Sequence, residues 1–211
     1  MNSLLSFLAS FLIGSIPVGF LLGKLKGVDV REVGSGNTGA TNVGRVLGRQ
    51  IGLLTLVLDT LKGVLAGMIG LHFTTVVTAT TQLGRGEAAA LCGLLAVIGH
   101  CFTPFLKFRG GKGVATSLGV FMVVCPVEAA VASLIFVLVL YYTKYVSLGS
   151  LVAAFSIPTL LTLFGDSGEN DVIFIAAVAV ALIVTFRHES NIKRLLKGRE
   201  NRVYLFARHS R

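Results

Sequence analysis

The sequence predicts an all-α, polytopic integral membrane protein of seven transmembrane helices, with its N-terminus outside and its C-terminus cytoplasmic. Three observations carry this. The 211 residues are 54% hydrophobic and only 14% charged, with a mean hydropathy of +0.81, the balance of a chain that crosses a membrane repeatedly. The apolar residues gather at 4–23, 51–71, 88–106, 114–125, 128–143, 147–164 and 172–186, with short polar turns between. Nearly all Lys and Arg residues fall in alternate connections, which the positive-inside rule assigns to the cytoplasm. One membrane domain over 1–200 and a basic tail over 201–211 follow. The net charge of +9 does not imply nucleic acid, because the cations are not gathered in a soluble module with exposed aromatics.

Segment 4–23 is about long enough to span, since a crossing takes roughly 20 residues, and no Lys or Arg precedes it, so it is read as a retained helix. Segment 51–71 carries Asp59 and Lys62 at i, i+3 among apolar neighbours. Ionisable residues at membrane depth are costly, so this pair is expected to neutralise itself or reach a polar cluster; a proton relay would need further carboxylates on other helices. Gly63 and Gly67, with Gly19 and Gly23, have the spacing that lets helices pack closely. In the third segment His100 is read as structural, as is His72 before it. Cys92, Cys101 and Cys125 are odd in number and form no C-x-x-C pair, so neither a disulfide framework nor a zinc site is implied.

Residues 114–142 could be one long helix or two short ones turning at Pro126. Charge decides. Two crossings leave only Arg85 outside and put the basic tail within, whereas one crossing would move the tail out and the acidic loop 165–171 in. A 12-residue segment rises only about 18 Å, so 114–125 is expected to be an incomplete, locally thinned or extended crossing. Past the last segment, a helix running on from the membrane would set His188 and Asn191 together at i, i+3. The tail also reads as a basic amphipathic helix on anionic headgroups, with Ile192, Leu195 and Leu196 buried. Glu200, after Gly198, is expected to be a solvated carboxylate, with a tie from the tail back to a cationic loop as the alternative.

Four of the connections on the cytoplasmic side carry the chemistry. The first, 34–45, combines Gly34, Gly36 and Gly39 with Ser35, Asn37, Thr38, Thr41 and Asn42 and one permanent cation, Arg45. Glycine admits positive φ and close backbone approach, and neutral donors beside a single guanidinium suit a phosphate or carboxylate. The second connection sets Lys112 between Gly110, Gly111 and Gly113 just before a helix, whose N-terminus favours an anion. Walker A spacing is absent, so nucleotide hydrolysis is not implied. Ser147 and Ser150 open the next helix as donors or caps. The tail supplies His188 and Asn191.

These stretches, Ser35 to Arg45, His100-x-x-x-Pro104 with Lys107 to Thr116, Tyr145 to Ser150, and Arg187-His188-x-x-Asn191-Ile-x-Arg194-Leu, resemble the bacterial acyl-phosphate:glycerol-3-phosphate acyltransferase family, the PlsY type. The likeness runs in order from the first helix to about Glu200. It implies a seven-helix inner-membrane enzyme, multi-pass and with its site at the cytoplasmic face. The reaction it implies moves a fatty acyl group from acyl phosphate to glycerol 3-phosphate, giving lysophosphatidic acid, without cofactor or metal. By the same likeness Ser35, Arg45 and Lys112 are expected to hold phosphate and Ser147, His188 and Asn191 to complete the catalytic site. Gly36, Asn37, Thr41, Asn42, Gly110, Gly111, Gly113 and Thr116 are matched positions expected to bind substrate. The partners are then acyl phosphate, glycerol 3-phosphate and the lipid bilayer, with no nucleic acid.

No H-x-x-x-x-D pair is present to act as a general base: five residues after His100 stands Phe105, and after His188, Lys193. Acyl phosphate is a mixed anhydride that needs little beyond alignment and charge stabilisation, so direct transfer is expected. A transporter of a small organic phosphate remains the alternative of another class; it would carry an internal repeat and polar residues through to the outer face. A CDP-alcohol phosphotransferase would require several metal-binding aspartates, and only Asp59 stands within the helices.

Overall fold

The computed structural model describes residues 3–73, 84–164 and 171–203. Most of the outer loop at 72–87, most of the acidic loop at 165–171 and residues 204–211 of the basic tail lie outside them. The described residues form ten α-helices and no strand: α1 Ser3–Ser15, α2 Val18–Leu25, α3 Ala40–Leu47, α4 Arg49–Phe73, α5 Arg85–Cys101, α6 Val114–Val124, α7 Pro126–Thr143, α8 Val146–Phe164, α9 Asp171–Arg187 and α10 Glu189–Leu196. Four of them, α4, α5, α7 and α8, are long and apolar enough to cross a membrane, and six spans result if the bent pairs α1–α2 and α9–α10 each count as one.

The expected helix 4–23 is two helices meeting at 40°. Pro17 stands at the break, where its missing N–H and its ring end a helix before it. Pro126 does the same between α6 and α7, at the turn the charge pattern required. The continuous last helix expected through Asn191 is also broken: α9 and α10 meet at 64° with His188 at the corner. Residues 34–45 are only half a loop, because α3 begins at Ala40 and takes Thr41, Asn42 and Arg45 onto a helix.

The short α6 is explained by where it starts. A Cβ on Gly63 would lie 2.1 Å from the Thr116 carbonyl oxygen and one on Gly67 would lie 3.0 Å from Val123. The two helices therefore run the same way in tight contact, as the small-residue spacing predicts, and α6 begins level with the middle of α4. The turn before it is drawn in between the helices. Gly19 makes room for the Thr38 carbonyl and for Val43 of α3, so it serves a helix–helix contact as expected, whereas Gly23 instead makes room for Val28 and Val30 of the following loop. A buried apolar cluster that includes Val97, Cys101, Phe121, Cys125, Ile157 and Val184 joins α5, α6, α8 and α9. Large apolar side chains such as Leu134, Val137, Phe155 and Leu182 point outward, the arrangement suited to lipid.

Candidate active site

Asn42 builds the first loop. Its Oδ1 accepts from the Ser35 N–H at 2.8 Å, and its Nδ2 lies 2.9 Å from the Val30 oxygen, 3.1 Å from that of Val33 and 2.9 Å from that of Asn37. With the amide so committed and the side chain buried, Asn42 shapes the loop from beneath instead of reaching a ligand. Gly36, at φ 68, takes a backbone conformation that L side chains resist. Asn37 Oδ1 accepts the Gly39 N–H at 2.8 Å, which leaves its NH2 group facing the cavity described below. Thr41 is exposed and away from that cavity, and Arg45 is exposed on the last turn of α3.

The second turn is held by its own glycines. The N–H of Gly110 donates to the Cys101 oxygen at 3.1 Å and that of Gly111 to the His100 oxygen at 3.0 Å. Arg187 donates from Nε to the Gly111 oxygen at 3.0 Å and from Nη2 to the Gly110 oxygen at 2.7 Å. The expectation that these two glycines wrap a phosphate is corrected: their amides are spent, and glycine is required because any Cβ would collide with His100. Lys112, and Gly113 at the N-terminus of α6, remain for an anion. Thr116 is fully buried against α4 and does not line the cavity.

The third part comes from the corner at His188 and the chain beyond α10. Glu200, read as a solvated carboxylate, is instead the hub: its side chain is 4% exposed. Its Oε1 accepts from Ser147 Oγ at 3.0 Å and from Asn191 Nδ2 at 2.6 Å, and its Oε2 from Arg194 Nε at 2.8 Å. Asn191 Oδ1 in turn accepts from Lys112 Nζ. Sequence reasoning missed Glu200, Arg187 and Arg194 as working residues. The signal was there for the two arginines, which flank His188 and Asn191 in the motif, and for Glu200 in its place after Gly198, where the tie to a cationic loop was the weaker of two readings.

Ser35, Gly36, Asn37, Lys112, Phe186, Arg187, Glu189, Ser190 and Arg194 line a cavity of about 290 Å³, in which Glu189 is paired with Lys193. Its size and polar wall suit a small anion better than an apolar ligand. Burial pushes the Lys112 ammonium down to about 8, with Glu200 opposing and Arg194, Arg187 and Arg45 reinforcing the shift. Burial also lowers the Arg45 guanidinium, again with Glu200 opposing and Arg194 reinforcing. Lys112, Arg45, Arg187 and Arg194 thus share one field around the Glu200 carboxylate, with Glu189 as a second carboxylate in the cavity wall. Burial would raise the Glu200 carboxyl, yet bonds from Asn191, Arg194 and Ser147 hold it below the ordinary range. His188 is brought down to about 4 by burial and the Lys112 charge. Its Nδ1 sits 2.7 Å from the Val184 oxygen. A neutral ring there donates from Nδ1, so Nε2 is left as the acceptor.

A family model described as glycerol-3-phosphate acyltransferase matches residues 4–198. A glycerol-3-phosphate acyltransferase of Geotalea daltonii is 44% identical over 95% of this chain and 97% of its own. One from Fusobacterium nucleatum is 45% identical over 92% and 94%. Among solved structures, PlsY, an integral membrane glycerol 3-phosphate acyltransferase, matches in its glycerol 3-phosphate form with a TM-score of 0.86 and 38% identity, covering 96% of each chain. Its lysophosphatidic acid form matches at 0.83 and 37%, covering 96% and 95%.

Proposed function

Because the chain belongs to the glycerol-3-phosphate acyltransferase family, we propose that it transfers a fatty acyl group from acyl phosphate to glycerol 3-phosphate, giving lysophosphatidic acid and inorganic phosphate. The observation that carries this reading is the small cavity where the Ser35 loop, Lys112, Arg187 and Arg194 converge. Two phosphates must be neutralised together in this reaction, and Lys112, Arg45, Arg187 and Arg194, which outnumber the carboxylates of Glu200 and Glu189, supply that.

The glycerol hydroxyl oxygen attacks the acyl carbonyl, the C–O bond to the donor phosphate breaks, and the hydroxyl proton leaves on that phosphate. Lys112 and the arginines hold the phosphates and stabilise the charge that develops. His188 Nε2 accepts a hydrogen bond from the hydroxyl and orients it. The ring is too weak a base beside Lys112 to keep the proton, so the phosphate is the better final acceptor. Ser35 and Asn37 offer neutral donors to the phosphate, and Glu200 fixes Ser147, Asn191 and Arg194 around it.

The reading extends to a seven-span enzyme of the bacterial inner membrane, with α1–α2, α4, α5, α6, α7, α8 and α9 as spans and the site on the cytoplasmic side. Support comes from three of the basic connections, the Ser35 loop, the Lys112 turn and the Arg187–Arg194 stretch, which line one cavity, and from the start of α6 level with the middle of α4. The test is release of inorganic phosphate from palmitoyl phosphate by purified protein. Release that requires glycerol 3-phosphate is expected. An acylated Ser35 or Ser147 trapped after donor alone would refute direct transfer, and vesicle uptake of glycerol 3-phosphate without chemistry would favour transport.

A further inference from the structure

Asp59, Lys62 and His100 are, among the described residues, a buried cluster of ionisable side chains inside the bundle that the reaction does not use. Asp59 is 2% exposed and Lys62 4%. Lys62 Nζ lies 2.9 Å from Asp59 Oδ1, and His100 Nδ1 lies 3.6 Å from the same oxygen. An ion pair needed only to cancel its own charge could sit anywhere along α4. This one sits under the Lys112 turn. The other nitrogen of the His100 ring, Nε2, is pressed on Gly111 so closely that a Cβ there would stand 2.1 Å away. The same residue's carbonyl takes the Gly111 N–H. Lys62 Nζ also donates to the Ile16 oxygen at 3.0 Å, in the break between α1 and α2, beside the point where Thr103 Oγ1 donates to the Ser15 oxygen at 2.6 Å. The cluster therefore meets both the floor of the second turn and the bend that aims α2 toward the first loop.

We infer that Asp59 and Lys62 are positioning residues for anion binding: through the His100 ring they fix the floor of the Gly110–Gly111–Lys112 turn. The inference rests on the acyltransferase reading, which supplies the substrates that report on the turn. The carboxylate faces the imidazole at 3.6 Å, an electrostatic contact without a hydrogen bond; the imidazole sets the height of Gly111, and Gly111 sets where the Lys112 ammonium enters the cavity. Lys62 meets the same carboxylate oxygen and so holds it beside His100. A membrane interior raises the cost of an ion pair, and its placement at this one contact explains what the cost supports.

The test measures KM and kcat for both substrates with the full chain in lipid nanodiscs, following phosphate release. Asp59→Asn is expected to raise KM for glycerol 3-phosphate or for acyl phosphate by about tenfold while kcat stays within about threefold. Thr55→Val, which removes another buried polar group of α4 bonded only to its own helix, is expected to move neither. Unmoved KM values in Asp59→Asn, or a fall in kcat alone, would overturn the inference. Should Asp59→Asn fail to fold, the pair His100 and Gly111 decides. Gly111→Ala is expected to raise the same KM, and His100→Ala in that background to recover part of the loss by removing the collision; no recovery would overturn the inference. A wild-type enzyme that releases no phosphate with both substrates would defeat the family reading, whereas wild-type turnover with unmoved KM in Asp59→Asn would defeat this inference alone.

Discussion

Replacing Glu200 by Gln keeps the shape of the hub and removes its charge. The Gln oxygen can still accept from Ser147 and Asn191, but its NH2 would then face the Arg194 Nε–H, donor against donor. Stripping one partner from a buried pair costs about 3–5 kcal/mol. Arg194 is 34% exposed, and solvent screening brings the expectation to about 1–3 kcal/mol. The variant should unfold several degrees lower, since about 1 kcal/mol moves a chain of this size by roughly 2–4 °C. The sign with pH follows from the lowered Glu200 carboxyl. A carboxyl held below its unfolded value contributes stability above that value and loses it as pH falls through the folded one. Wild type should therefore lose its advantage over Glu200→Gln on acidification below the ordinary glutamate range.

The same change acts on catalysis through Lys112. Glu200 is the neighbour that supports the Lys112 charge against burial and three arginines. In wild type, kcat/KM should fall as pH rises through about 8, where free Lys112 loses its proton. In Glu200→Gln that limb should lie lower. Bound phosphate supports the ammonium, so the limb in kcat should lie above the limb in kcat/KM. The assay is phosphate release at saturating and limiting glycerol 3-phosphate across pH 5–10. An alkaline limb that stays in place or moves up in the variant would refute the reasoning.

Lys112→Ala should cost about 10²–10³ in kcat, the usual loss for one preorganised electrostatic donor; phosphate release under saturating substrates checks it. Asn42→Ala removes the four hydrogen bonds that hold the first loop and should raise KM for a phosphate substrate while lowering the unfolding midpoint, read by calorimetry. Arg187→Lys keeps the charge but loses the two-pronged grip on the Gly110 and Gly111 oxygens. Its kcat/KM should drop about tenfold, the equivalent of roughly 1.4 kcal/mol. A drop no larger than that of a surface Lys193→Ala change would count against the clamp.

The helical fold was legible because apolar segments and charge asymmetry are long-range averages that single side chains hardly disturb. Its breaks were half legible. Pro126 was read as a turn, whereas Pro17 was passed over because the apolar run continues on both sides of it. At the site, residue types were legible and their jobs less so. Asn42 and Gly110 stand in stretches whose composition suits a phosphate, yet the structure shows Asn42 spent on the loop and Gly110 on its contact with His100 and Cys101. Glu200 was half legible: a tie to a cationic loop could be read from its place after Gly198, but its partners Ser147, Asn191 and Arg194 are brought to it only by the corner at His188. His100 looked isolated because Asp59 and Gly111 lie far away along the chain on either side.

The most direct test of the account is a structure of this protein with glycerol 3-phosphate bound. The account predicts the substrate phosphate in the cavity beside Ser35 and Lys112, with Arg45 on the same membrane face. A phosphate bound elsewhere, or labelling that sets Arg45 and Lys112 on opposite faces, would contradict it.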